Sequence, residues 1–305
     1  MTGLVIALVL LATVAFITGN NSAILSGPYR SVVILRKISS PVILLGTILG
    51  LLMEGNKLRK FTETFPIHDQ KLLTIILASI IILILLGNKY RIPISLTMTL
   101  AGGVVGIFIY LGRSLETGYL SMLLIAWVTY PLLGLVISSL IYLLVKHLLK
   151  ESNWRGYISE KILLMSTTGA LAYVFGANTL GLIYYLGEEG IIQTILFIMM
   201  VVAGFFLLSR GVSYEIGLKI YNISISALLA AQFATVILIE IATQFGIPVS
   251  LTQLMMISLI GPALTKRFRI INVSYLKRML FLWVASPVIG AGIAVFLYFA
   301  YLAII

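Results

Sequence analysis

The sequence predicts an all-α polytopic membrane protein of two inverted repeats, each of about five helical segments, with broken helices or re-entrant hairpins where the repeats meet. Three observations predict it. Of 305 residues, 60% are hydrophobic and 10% charged, and a mean hydropathy of +1.12 lies far outside the range of soluble globular chains. Apolar runs long enough to span a bilayer recur along the whole length, for example at 72–86 and 191–208. Polar interruptions of those runs come in pairs, half a chain apart.

The clearest pair is Pro93-Ile94-Ser95-Leu96-Thr97 and Pro248-Val249-Ser250-Leu251-Thr252, 155 residues apart (248 − 93). Proline removes a backbone donor and breaks a helix, and lipid penalises every unpaired polar group, so such a break inside apolar sequence needs a reason. Tyr119, Trp127, Pro131, Gly134 and Tyr142 reappear as Tyr275, Trp283, Pro287, Gly290 and Tyr298, each pair 156 residues apart (283 − 127, for example). Upstream, Gly19-Asn20-Asn21-Ser22 is answered by Gly176-Ala177-Asn178-Thr179. Both halves thus run in one order: a Gly-x-Asn break, two apolar spans, a Pro-x-Ser-x-Thr break, and a long Trp/Pro helix.

Segments are predicted at 4–30, 40–54, 71–88, 93–112 and 118–148, then at 160–186, 190–208, 222–245, 248–265 and 273–303. The first starts without a basic flank or a small-residue cleavage site, so it reads as a retained span. An odd number of segments per half makes the second half enter from the opposite side, which divides the chain into repeats at 1–152 and 153–305. With both termini outside, sixteen of the 21 Lys and Arg residues fall on the inner face, a strong positive-inside bias. The net charge of +11 is therefore read as topology rather than nucleic-acid binding. Whether 71–112 and 222–265 cross fully or dip and return is left open by the sequence. The reading is of a multi-pass protein of the cell membrane, with the lipid bilayer as its first partner and a homodimer among the assemblies allowed. The absence of cysteine removes disulfides and thiolate metal sites. Neither His68 nor His147 lies near a break.

Gly176-Ala177-Asn178 after Phe175, Pro248-Val249-Ser250-x-Thr252 after Gly246, and their first-half echoes resemble the inorganic phosphate transporter family of secondary symporters. That family carries Gly-Ala-Asn-Asp-x-x-Asn and Pro-Val-Ser-Thr-Thr-His in each of two inverted repeats. Arg210-Gly211-Val212 through Lys219-Ile220, and Ala230-Ala231-Gln232 where the family has Ala-Ala-Glu, extend the likeness over nearly the whole chain. The resemblance implies symport of inorganic phosphate or a similar tetrahedral oxyanion, with no cofactor and with H⁺ or Na⁺ as coupling ion. The departures are Ser22 and Thr179 in place of the motif aspartates, Leu25 and Leu182 for the trailing asparagines, and Leu96, Met98, Leu251 and Gln253 for one threonine and the histidine of each copy.

The residues make their own case for an anion site. Helices broken within the membrane expose N–H groups whose partial positive charge favours an anion, and Ser, Thr and Asn add neutral hydrogen bonds. The expected substrate-binding residues are Asn21, Ser22, Ser95, Thr97, Asn178, Thr179, Ser250 and Thr252. The bland alternatives are helix capping for the hydroxyls and interhelical hydrogen bonding for the asparagines. Glu240, the one carboxylate that reads as lying inside a span, and Gln232 are candidates for ion coupling. A neutral sodium site near Ser22 and Thr179 is the alternative to a proton. Trp127, Trp283, Pro131 and Pro287 read as packing and kink residues. A sulfate transporter is the nearest rival. An enzyme acting on a lipid phosphate is the rival from another class, and it lacks acid–base or metal-binding residues near the breaks.

Overall fold

The structure, a computed structural model, describes residues 2–32, 36–67, 69–90, 94–148, 154–187, 189–208, 223–266 and 272–304. Pro93, Glu188 and the basic segment Arg210–Ile220 lie outside them. Every element among the described residues is helical. In chain order these are α1 (Thr2–Val32), α2 (Arg36–Glu54), a 3-10 turn (Gly55–Leu58), α3 (Arg59–Thr64), α4 (Gln70–Tyr90), α5 (Leu96–Tyr110) and α6 (Thr117–Leu148). Then follow α7 (Trp154–Val174), a π-helical segment (Phe175–Leu180), α8 (Gly181–Tyr184), α9 (Ile191–Leu208), α10 (Ile225–Gln244), α11 (Leu251–Lys266) and α12 (Val273–Ile304).

Among the described residues eight helical stretches are long and apolar enough to cross a membrane, which makes the chain a multi-pass membrane protein. α5 and α11 are different: at 15 and 16 residues they reach only about 22–24 Å against a hydrocarbon core of about 30 Å. They are also buried on nearly every side, whereas α6 and α12 present Val128, Leu132, Val284 and Val288 outward. The two short helices that follow the Pro-x-Ser-x-Thr motifs therefore form the centre, and the long ones the rim.

Close packing at that centre is made by glycine. α5 lies on α12, and α6 on α11. A Cβ at Gly106 would fall 2.6 Å from the Ala291 Cβ, one at Gly290 2.4 Å from the Thr99 carbonyl oxygen, and one at Gly261 2.2 Å from the Ser138 Oγ. The same device joins α1 to α9 and α2 to α7, where Gly204 meets the Ala15 carbonyl and Gly50 the Tyr173 carbonyl. With no hydrophobic driving force between helices in lipid, such backbone approach supplies the van der Waals contact that holds them. α4 packs on α1 and α12, and α10 on α7 and α6.

Two expectations are corrected. α1 runs unbroken through Gly19-Asn20-Asn21, so the first Gly-x-Asn motif does not interrupt its helix. The second copy distorts without breaking, widening into the π-helical turn where the Gly181 N–H reaches the Gly176 carbonyl. The segment expected at 40–54 continues through the 3-10 turn to Thr64.

Candidate functional site

The second break is built by a helix stop followed by a helix start. α10 ends at Gln244 with Phe245 as its C-cap, Gly246 takes φ +68°, and the Gly246 and Ile247 N–H groups donate to Thr243 O at 2.9 Å and Ala242 O at 2.9 Å, a Schellman closure. After Pro248, Ser250 caps α11 and accepts from the Gln253 N–H at 3.3 Å. α5 starts the same way: Ser95 accepts from the Met98 N–H at 3.4 Å. The capping reading of both serines is thus what this state displays, and each hydroxyl keeps its own proton to donate.

Side chains from elsewhere hold the second break in place. Asn178, fully buried, donates from Nδ2 to Ile247 O at 3.0 Å and to Thr243 Oγ1 at 3.0 Å, and accepts from the Val249 N–H at 2.9 Å. From α6, the Tyr119 hydroxyl donates to Gly246 O at 2.6 Å and Trp127 Nε1 to Pro248 O at 3.1 Å. Lys60 of α3 reaches Phe245 O at 3.3 Å. α3 is itself tied to the second half by a forked Arg59–Glu189 pair at 2.6 and 2.7 Å.

The two breaks meet. Thr97 Oγ1 lies 3.5 Å from Val249 O, and Thr252 Oγ1 donates to Asn21 Oδ1 at 3.3 Å. Ser95, Thr97, Ser250 and Thr252 are all at most 3% exposed. Asn21 also donates to Ile17 O and Ser22 to Gly19 O, so both turn partly to their own helix. Thr179 sits in the π-helical turn with its hydroxyl buried and without a partner among the described residues. Of the eight residues singled out in the sequence, Asn21, Thr97, Asn178 and Thr252 bond at the second break or the start of α11, Ser95 and Ser250 cap α5 and α11, Ser22 bonds its own helix, and Thr179 lies in the π-helical segment.

The coupling candidates lie apart from that contact. Gln232 is fully buried and bonded to Thr167 and Thr168. Glu240 sits one turn before the end of α10; Oε1 accepts from Gln244, which also donates to Glu54 at 2.9 Å, and Oε2 is buried with no donor among the described residues. Sequence reasoning missed Glu160, a carboxylate only 2% exposed that accepts from Ser226 at 2.7 Å. Its place at the start of an apolar run disguised it as an interfacial charge. Among the described residues no cluster of three or more His, Asp or Glu is arranged to hold a metal. Beside the breaks, between α6, α11 and α12, lies an apolar cavity of about 560 Å³ lined in part by Met98, Trp127, Pro131, Gln253, Trp283 and Pro287.

Two buried, serine-capped helix starts brought together within a helical membrane protein form a donor-rich centre. Comparison with known proteins decides what kind of protein carries it. The model of the phosphate transporter family matches residues 42–185 and 161–294. The chain belongs to the phosphate transporter family. A candidate phosphate permease of Methanocaldococcus jannaschii is 25% identical over 262 residues, covering 86% of this chain and 82% of the relative. A solved structure of a sodium-dependent phosphate transporter matches with a TM-score of 0.82 over 100% of both chains at 16% identity, which shows a shared fold. Family membership makes this phosphate transporter family member a transporter and not an enzyme acting on lipid phosphates.

Proposed function

We propose that this protein is a symporter of inorganic phosphate that works by alternating access, with the anion held between the two breaks. The observation that carries the reading is the approach of the first turn of α5 to the second break, Thr97 Oγ1 to Val249 O at 3.5 Å, with Thr252 of α11 bonded to Asn21 of α1 beside it. Each start presents first-turn N–H groups without intrahelical acceptors, and the partial positive charge there favours an anion. Ser95, Ser250, Thr97 and Thr252 supply hydroxyl donors, Asn21 bonds Thr252, Ser22 and Thr179 are the hydroxyls that follow Asn21 and Asn178 in the chain, and Asn178 shapes the second break through the bonds it already makes.

Alternating access rests on the two repeats, 1–152 and 153–305, being inverted copies. Support comes from packing: α1 with α9 and α2 with α7, then α5 with α12 and α6 with α11, each pair joining one half to the other in exchanged order. In such transporters the motion is a rocking of one repeat against the other around a fixed site. Both termini then lie outside, as the charge bias requires. Proton coupling is the expected mode, because neutral Ser22 and Thr179 give a sodium ion less charge compensation than carboxylates. Glu240 is the expected relay, with Gln232 set in the packing of α7 on α10.

The test is phosphate binding by Ser95→Ala, Ser250→Ala and the double variant in detergent or nanodiscs. Loss of one neutral hydrogen bond costs about 0.5–1.5 kcal/mol, so each single change weakens binding measurably and the double more. Binding unchanged in all three would reduce both hydroxyls to helix caps. Sulfate binding as tight as phosphate would shift the substrate to the wider oxyanion class.

A further inference from the structure

The segment that follows α2, made of the 3-10 turn Gly55–Leu58, α3 (Arg59–Thr64) and Phe65, lies as a strap across one side of the second break. Its apolar side chains recur at 58, 61 and 65, spacings that share one helix face. Leu58, Phe61 and Phe65 are at most 1% exposed, whereas Arg59, Lys60 and Glu63 are exposed. Phe61 and Phe65 lie 6.3 and 6.1 Å from the Tyr119 ring of α6, and Phe65 lies 5.8 Å from the ring of Phe108 on α5. Tyr119 in turn donates to the Gly246 carbonyl. A Cβ on Gly246 would fall 2.8 Å from Lys57 O and 3.0 Å from Lys60 Cβ, so no side chain fits between strap and break.

The polar contacts of the strap converge on the residues just ahead of the break. Lys57 Nζ donates to Gln244 Oε1 and lies 3.3 Å from Glu54, Gln244 Nε2 donates to Glu54 at 2.9 Å, and Lys60 Nζ donates to Phe245 O at 3.3 Å. On its other side Arg59 pairs with Glu189 and lies over the Tyr185 ring at 4.8 Å. Lys60, Gln244 and Phe245 are exposed, in contrast to the fully buried Asn178 that holds the same break from within. Exposed polar contacts are exchanged for water at little cost and are screened by salt, so this contact is a latch where Asn178 is a brace. An amphipathic segment also has a second resting place, its apolar side laid in the membrane interface.

We propose that residues 55–65 are the outer gate of the phosphate path. Leu58, Phe61 and Phe65 plug the outer side of the second break, Lys57 and Lys60 latch the plug onto residues 244 and 245, and release of the latch opens the break to the outside. The described state is closed on that side, with Ile247 and Ser250, one and four residues beyond Gly246, only 6% and 2% exposed. The inference rests on the reading above, with phosphate held between the breaks and the termini outside, and adds to it the part that moves to admit the anion.

Two measurements test it, in a chain that has no cysteine of its own. In proteoliposomes, Ile247→Cys is labelled from outside with a membrane-impermeant maleimide. Lys57→Met with Lys60→Met keeps most of each stem against the break while removing the latch, and is expected to raise the labelling rate about two- to tenfold. Added salt is expected to speed labelling when both lysines are present and to leave the latch-free variant unchanged, a dependence that a purely structural role would not show. A rate unmoved by the double change, or equally salt-dependent with and without the lysines, overturns the latch. In a second variant, Lys57→Cys and Gln244→Cys are joined by a short bifunctional methanethiosulfonate. Uptake of radiolabelled phosphate is expected to stop on bridging and to recover on reduction; uptake undiminished by complete bridging overturns the gate. Labelling needs no substrate, so failure of phosphate uptake in the unbridged protein would strike the transport reading while the labelling rates decide the gate on their own.

Discussion

Asn178→Ala removes the side chain that fixes the second break. The loss leaves two buried backbone groups, the Val249 N–H and the Ile247 carbonyl, without the partners they now have at 2.9 and 3.0 Å. Thr243 keeps its bond to Ile239 O at 2.8 Å and adds little. Each orphaned buried group costs about 1–3 kcal/mol, so the variant is expected to lose about 2–6 kcal/mol, towards the low end if water enters the space. Thr243→Val, which removes only one of the acceptors of Nδ2, is the control and is expected to cost about 1 kcal/mol. The assay is equilibrium unfolding of both variants in mixed micelles, alongside phosphate uptake, because Val249 adjoins Ser250 and a loosened break misplaces that hydroxyl. A loss below about 1 kcal/mol for Asn178→Ala, or an equal loss for Thr243→Val, would refute the view that Asn178 braces the break.

Three further outcomes are expected. Gly176→Ala and Gly50→Ala would each place a Cβ 1.9 Å from a carbonyl oxygen, of Thr47 and Tyr173 respectively, whereas Gly292 has nothing within 4 Å; the first two should destabilise by about 1–3 kcal/mol by overpacking and Gly292→Ala should be neutral or stabilising, read from thermal melts in detergent. Arg59→Ala breaks a pair whose side chains are 46% and 49% exposed, so its effect on unfolding should stay below about 1 kcal/mol and vanish in high salt. Glu240→Gln keeps the shape of the contact with Gln244 while removing the titrating group, and is expected to lower proton-driven accumulation without lowering phosphate exchange; equal loss of both would make Glu240 a structural residue.

Much of this architecture was legible because lipid makes sequence explicit: spans must be apolar, and any Pro, Ser and Thr set among them stand out. The pairing of Pro93-x-Ser95 with Pro248-x-Ser250 located the starts of α5 and α11, since a capping hydroxyl and a proline act locally. The fate of the Gly-x-Asn motifs was not legible. Whether α1 runs straight through Asn21 while the chain around Asn178 widens into a π-turn depends on tertiary contact, such as Gly176 lying against the Thr47 carbonyl. Glu160 was hidden for a like reason, its partner Ser226 being 66 residues away. Trp127 read as a packing residue because its hydrogen-bond acceptor is a main-chain carbonyl in the other half, and backbone acceptors leave no trace in sequence.

Uptake of radiolabelled phosphate into proteoliposomes tests the central claim most directly. With an inward proton gradient and no sodium, the account predicts accumulation above equilibrium that unlabelled phosphate and arsenate compete away, that sulfate leaves largely intact, and that Ser95→Ala with Ser250→Ala lowers more than either change alone. Absence of phosphate accumulation under either a proton or a sodium gradient, or accumulation indifferent to both serines, would contradict it.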